Sequence, residues 1–224
     1  MTKEIFFNLK EVFSPNEKLD RWILKLAIAR SDILHVHKRH VDVLQDETNI
    51  TNGESLYLFR LAISHLREVV KLITFGSNDQ EIRTFITGIS KEVDSEFNRF
   101  IMSKEDPFLN NVLIPTRNNL FHYYDKDKDK EFKVRLEELK DFETKILSAS
   151  KKIKDTEYEF ADQVTLLMSI GDISYDEFKE LVKLVSSYMV SFSKVAETIT
   201  GAFLLMKKSK FRQNSIFKEG GNIL

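Results

Sequence analysis

Five histidines and ten arginines dominate the candidate chemistry of this chain, because it contains no cysteine at all. Without cysteine there is no thiolate nucleophile, no disulfide framework and no Cys-ligated zinc or iron-sulfur site. The run Thr116-Arg117-Asn118-Asn119-Leu120-Phe121-His122-Tyr123-Tyr124 places an arginine five residues before a histidine, just ahead of the charged stretch DKDKDK at 125–130. An imidazole with an unperturbed pKa of about 6.5 suits proton transfer near neutral pH. A planar guanidinium holds phosphate oxygens by paired hydrogen bonds and stabilises the charge that grows on them in a transition state. His122 as general acid or base and Arg117 as phosphate-binding electrophile therefore fit attack of a ribose 2'-hydroxyl on the neighbouring phosphate. Asn118 lies four residues before His122, shares its helical face, and suits fixing the imidazole tautomer or holding a phosphate. In a straight helix five residues turn through 500°, so the heads of Arg117 and His122 point about 140° apart. They converge through the length of arginine, a distorted backbone or a symmetry mate.

The same spacing occurs twice more, from Arg30 to His35 and from Arg60 to His65, in both cases inside long amphipathic patterns and without the following Asn. Arg117 stands instead beside Pro115, which interrupts a helical hydrogen-bond ladder, and ahead of a loop where side chains reach solvent. Context rather than spacing singles it out. His37 and His40, at i and i+3, have the separation of a shared metal site, but no carboxylate stands at the matching spacing and His40 falls on an apolar stripe. A buried, hydrogen-bonded histidine is the better reading of His40, and His65 is read as structural too. No metal site and no cofactor are expected: the chain has no glycine-rich phosphate loop, no G-x-S-x-G elbow and no H-E-x-x-H. Arg60, Ser64, Arg67 and Lys71 form a basic stripe, and Lys126, Lys128, Lys130, Lys133 and Arg135 follow the motif. These are weak candidates for an RNA backbone, since Asp125, Asp127 and Asp129 interleave with the lysines and cancel their field.

The segment Arg117-Asn118-Asn119-Leu120-Phe121-His122 resembles the R-x4-6-H motif of HEPN-domain proteins, including the polar residue after the arginine, and Tyr124 extends it to R-x4-H-x-Y. The nearest likeness is to bacterial abortive-infection or toxin-type members, over residues 16 to 150. The resemblance implies a helical bundle opening with two long helices and a metal-independent endoribonuclease in a toxin or antiviral role. It also implies a homodimer whose two motifs meet at the interface, with an antitoxin or other regulatory protein as a further partner. Tyr124 would then be a supporting residue or a target of nucleotidylation.

The elements that must position these residues are helices almost throughout. Only 7 Gly and 3 Pro occur in 224 residues, so tight turns are few and elements long. Ser14-Pro15-Asn16-Glu17 reads as a capping box with Pro at the first helical position. Behind it Leu19, Trp22, Leu26, Ala29, Ile33, Val36, His40 and Val43 follow three-four steps, flanked by Ile23, Ala27, Leu34, Val41 and Leu44. After a polar break at Asn49 to Gly53, a second helix runs from Leu56 to Gly76 as its C-terminal cap, and a third spans 78 to 103, bent at Gly88. A helix opening at Asp106-Pro107 kinks near Ile114, and others cover 131–152 and 156–170. Ser174-Tyr175-Asp176-Glu177 is a second capping box. It opens a helix to 207 whose stripe is Phe178, Leu181, Val185, Tyr188, Phe192, Val195, Ile199, Ala202 and Met206. Two helices of about 45 and 50 Å suit side-by-side pairing.

The expected fold class is all-α: one helical bundle of six or seven helices with long first and last helices, forming a single domain over 1–207. Residues 208–224 read as a basic flexible tail, because five basic residues and one acidic follow Met206 and Gly220-Gly221 lies within it. With 34 Lys+Arg against 35 Asp+Glu the net charge is −1, so no global field draws the chain to a polyanion and any such site is local. The N-terminus lacks a signal-peptide core, and Lys194 and Glu197 interrupt the most apolar stretch. A cytoplasmic protein with an RNA substrate and no membrane partner is expected. The competing reading is a non-catalytic helical interaction or nucleotide-binding protein that keeps the bundle and uses its last helix as partner surface.

Overall fold

The computed structural model describes residues 4–44, 53–101, 108, 113 and 175–214. In chain order these form β1 (Glu4–Phe7), α1 (Leu9–Val12), α2 (Lys18–Leu44), α3 (Gly53–Ser77), α4 (Gln80–Thr87), α5 (Lys91–Asn98), α6 (Tyr175–Met206), a 3-10 turn (Lys208–Lys210) and β2 (Phe211–Asn214). The described fold is an all-α bundle built on the two long helices the apolar spacing predicts, with α3 against α2. Trp22 of α2 donates its indole N–H to the carbonyl of Leu72 at 3.0 Å, while Arg39 meets Glu54 at 2.6 Å. These two contacts make α2 and α3 antiparallel. Arg30 to the Ser193 carbonyl at 3.1 Å and His37 to Ser186 at 2.9 Å set α6 antiparallel to α2 in the same way.

Apolar periodicity explains the burial. On α2, Leu19, Trp22, Ile23, Leu26, Ile33 and Val36 are buried, and on α6 Phe178, Val185, Tyr188, Phe192, Val195 and Ile199 are buried with them. On α6 the buried row keeps steps of four and three, from Phe178 through Val185, Phe192 and Ile199 to Phe203. Val182, Met189, Ala196 and Phe203 complete the core, and Met206 is exposed. Aromatic rings interlock across the helices: Phe59 meets Phe178 edge-on at 5.2 Å, Phe100 meets Phe192 at 5.9 Å, and Trp22 meets Phe97 at 6.1 Å. Such pairs favour tilted and offset geometries and add to simple area burial.

Several boundaries differ from the sequence expectation for local reasons. The first long helix starts at Lys18 rather than Pro15. The Asp20 carboxylate reaches back to the Ser14 N–H at 2.8 Å, and the Ser14 hydroxyl takes the Asn16 N–H at 3.3 Å, so the box expected from Ser14 and Glu17 is replaced by a turn. Gly76 is not a C-terminal cap but an interior residue of α3. A Cβ there would stand 2.8 Å from two atoms of the Trp22 ring, so its role is room for the indole. The expected bend at Gly88 is a full break: α4 ends, and Ser90 caps α5 by accepting the Val93 N–H at 3.2 Å. Asp79 caps α4 through the N–H groups of Glu81 and Ile82, each at 3.1 Å. Of the segment expected to be helical at 106–114, Phe108 and Leu113 are described and buried; the rest of it, residue 174, the segments expected to be helical at 131–152 and 156–170, and the run 125–130 lie outside the described residues.

The tail also departs from expectation. Residues 211–214 pair antiparallel with 4–7, Phe7 opposite Phe211 and Glu4 opposite Asn214, so the first part of the basic segment is a strand. Close by, Phe13 stacks on Phe203 at 5.4 Å and Lys207 reaches the buried Asp20 at 3.3 Å. Residues 215–224 lie outside the described residues.

Candidate functional site

Arg117, Asn118, His122, Tyr124, Lys126, Lys128 and Lys130 lie outside the described residues. The weak RNA-binding candidates Arg60, Arg67 and Lys71 are on α3. Arg60 lies over the Tyr57 ring at 5.9 Å, and Lys71 is paired with Glu68 at 2.7 Å within the same helix. Arg60 and Arg67 are half-buried and Lys71 is exposed. None of these side chains lines the groove described below.

The two further arginine-histidine matches have structural occupations. Arg30 spends both its Nε and one Nη on α6, donating to the Ser193 carbonyl and to Glu197 at 2.7 Å, while His35 is exposed. Arg60 is held over Tyr57, and His65 is half-buried on α3. Neither pair is presented as a joint site.

The polar cluster that the fold does bring together lies along the seam of α2 and α6. His37 is half-buried and its Nε2 shares a hydrogen bond with the Ser186 hydroxyl, each able to donate according to the imidazole tautomer. Burial lowers the His37 pKa, which keeps the ring neutral at pH 7. One turn on, His40 is 1% exposed and its Nε2 has no hydrogen-bond partner among the described residues. Its pKa is lowered to about 4, first by burial and then by the neighbouring His37. A cation near a helix C-terminus is favoured by roughly 0.3–1 kcal/mol, so desolvation outweighs the dipole of α2. The expectation of a buried His40 holds, but that nitrogen is not hydrogen-bonded as the sequence reading supposed.

Ser186 also lines a groove of about 680 Å³ that runs along α6 past Lys183, Ser187, Ser191 and Lys194 to Glu96 of α5. Most of its polar groups are engaged. Ser191 donates to Glu96 at 2.9 Å, Ser187 to the Leu184 carbonyl at 2.7 Å, and Lys183 to Glu180 at 2.6 Å. Glu96 also pairs with Arg99 at 2.8 Å. Lys194 has no ion-pair partner among the described residues. The groove thus presents the ammonium of Lys194, and that of Lys183 held by Glu180, beside hydroxyls, and among the described residues its imidazole contact runs through Ser186. Sequence reasoning missed Ser186, Ser191, Ser193 and Glu96. The available signal was the repetition of serine at 186, 187, 191 and 193 within an otherwise apolar helix. Among the described residues no group of three His, Cys, Asp or Glu stands close enough to hold a metal ion.

Comparison with protein families, with curated proteins and with solved structures finds no match to this chain.

Proposed function

We propose that the chain is a metal-independent endoribonuclease of HEPN type, cytoplasmic and homodimeric, acting as a toxin or in antiviral defence under an antitoxin or other regulatory partner. The observation that carries this reading is selective. Of the three arginine-histidine pairs at this spacing, Arg30 is committed to α6 and Arg60 lies over Tyr57, which leaves Arg117-Asn118-x3-His122. In this reading His122 moves the proton between the 2'-hydroxyl, its own ring and the leaving 5'-oxygen. Arg117 binds the phosphate and offsets its growing charge, and Asn118 supports the pair. Because about 140° separates Arg117 from His122 on one ideal helix, each site combines the arginine of one chain with the histidine of its partner.

The test is cleavage of single-stranded RNA in excess chelator, with a 2',3'-cyclic phosphate as product. Arg117→Ala and His122→Ala abolish cutting, and His122→Ala changes folding free energy by less than about 1 kcal/mol, as for positions away from buried features. Heterodimers refolded from the two inactive variants recover up to about half of wild-type activity if sites are shared across the interface. Cleavage abolished by chelator and restored by magnesium overturns the mechanism.

A second reading, a non-catalytic interaction protein, is favoured by one observation: Leu184 and Val190 are exposed on α6, the surface that such a protein would offer a partner. RNA left intact under all conditions, with a partner bound through these two residues, selects it.

A further inference from the structure

Exposed apolar side chains gather at one end of the bundle. Leu205 and Met206, 71% and 59% exposed, end α6. Phe7, Leu9 and Phe75 are exposed as well. The stacking of Phe13 on Phe203, the contact of Phe7 with Phe13 at 6.3 Å and the reach of Lys207 to Asp20 put the end of α6 beside β1 and α1. Lys18, at the start of α2, lies over Phe75, which brings the end of α3 to the same side.

Charge changes at this point in the chain. From Lys207 onward the sequence carries Lys207, Lys208, Lys210, Arg212 and Lys218 against a single Glu219, a local excess of +4 in a protein whose net charge is −1. Asp20 compensates one of these cations through Lys207, and Lys208 is exposed. The acidic groups nearby are Glu4 of β1, opposite Asn214, Asp79, paired with Lys18, and the exposed Glu11 and Glu17. Protruding aliphatic side chains directly followed by a basic cluster are the two features by which a protein surface engages anionic lipid. Aliphatic Leu205 and Met206 offer a nucleic acid no stacking platform, which separates this surface from a single-strand binding site.

α6 is, among the described residues, the one helix long and apolar enough to cross a membrane. Its buried side, from Phe178 through Phe192 to Phe203, is instead committed to the core against α2, α3 and α5. Its most exposed apolar side chains, Leu205 and Met206, stand at its end. We infer that the β1-β2 end of the bundle docks peripherally on an anionic lipid surface, with Leu205, Met206 and Leu9 entering the headgroup layer and the basic turn Lys208–Lys210 beside them meeting the phosphates. The inference is independent of Arg117 and His122.

The experiment is co-sedimentation of the full chain with phosphatidylcholine vesicles and with vesicles that also contain phosphatidylserine, at low and high salt. Binding to the phosphatidylserine vesicles, weakened by salt and absent from pure phosphatidylcholine, is expected. Leu205→Asp with Met206→Asp should lower the partition coefficient about tenfold or more, and Lys208→Glu with Lys210→Glu should lower it by a similar factor. Circular dichroism shows whether each variant keeps the wild-type helix content. The lysine variant alters the exposed Lys208 and its neighbour Lys210 and no buried apolar side chain of the core, so it remains a test should the aspartate variant unfold. Three results would overturn the inference: no sedimentation with either vesicle, equal binding to both, or undiminished binding by folded variants. Retention on single-stranded RNA that these variants abolish, with no vesicle binding, reassigns the surface to nucleic acid and overturns it too.

Discussion

At the end of the bundle where α2 begins, the indole N–H of Trp22 has the Leu72 carbonyl, and the buried Asp20 carboxylate has both the Ser14 N–H and the Lys207 ammonium. At the opposite end, where α2 finishes, the buried Nε2 of His40 has no partner among the described residues and its neighbour His37 spends its own Nε2 on Ser186. The first arrangement satisfies its buried donors and compensates its charge, so it holds α2, α3 and α6 in fixed register. The second tolerates an unsatisfied nitrogen only because histidine can remain neutral. An orphaned acceptor costs about 1–3 kcal/mol, and a buried unpaired charge costs far more. The difference teaches that one end of this bundle is built for rigidity and the other is sensitive to protons.

The comparison breaks most severely at Trp22. Trp22→Ala removes a fully buried ring, its edge contact with Phe97 and the hydrogen bond to Leu72, and is expected to cost about 3–5 kcal/mol in urea unfolding. A loss under 1 kcal/mol would mean that this end is not the rigid one.

The next effect belongs to His40. Its folded pKa, about 4, lies below the unfolded value of about 6.5. Between these limits the unfolded chain binds the extra proton, so stability is full above pH 6.5 and falls as the pH drops toward 4. The loss reaches about 3 kcal/mol, and His37, lowered in the same direction, adds to it. Thermal melts at pH 7, 6 and 5 should show a falling Tm in wild type and a flatter profile in His40→Leu. An equal fall in both removes His40 from the proton-sensitive end.

Gly76→Ala sharpens the contrast from the other side. The new methyl meets the Trp22 indole at 2.8 Å, and because that ring is packed and hydrogen-bonded the cost is expected to be about 1–3 kcal/mol. Trp22→Phe in the same background should recover part of it, which a double-mutant cycle measures. The smallest effect is expected at Arg39→Ala. Its bond to Glu54 joins two exposed side chains beside the proton-sensitive end, and such pairs contribute about 0–1 kcal/mol. A larger loss in urea unfolding would show that the ion pair, rather than packing, fixes the α2–α3 register there.

Much of the architecture is legible without coordinates. The apolar spacing of Leu19 to Val36 and of Phe178 to Ile199 marks two long helices and their buried faces, because a side chain's face follows from its position in a 3.6-residue turn. Ser14 and Gly76 show where such reading stops. Both fit a local signature, and in both a side chain from another position decides the outcome: Asp20 accepts the Ser14 N–H, and the Trp22 indole occupies the space beside Gly76. The strand at 211–214 was invisible for a related reason: four residues with Lys, Arg and Asn around them carry no alternation, and only β1 at the other end of the chain supplies the hydrogen bonds. For the site, His40 was legible as buried, while Ser186 was not legible as a partner of His37.

The sequence by itself therefore determined the all-α class, the two long helices, the core stripes, the absence of thiol chemistry and the Arg117-Asn118-x3-His122 motif, since each depends on composition or on neighbours within a few residues. Tertiary structure alone decided which polar groups found partners. His37 meets Ser186 across 149 residues of chain, Lys207 meets Asp20 across 187, and Trp22 meets Leu72 across 50. No local pattern encodes such distances, because they are set by how three helices pack side by side, and that same packing left the Nε2 of His40 without a partner among the described residues.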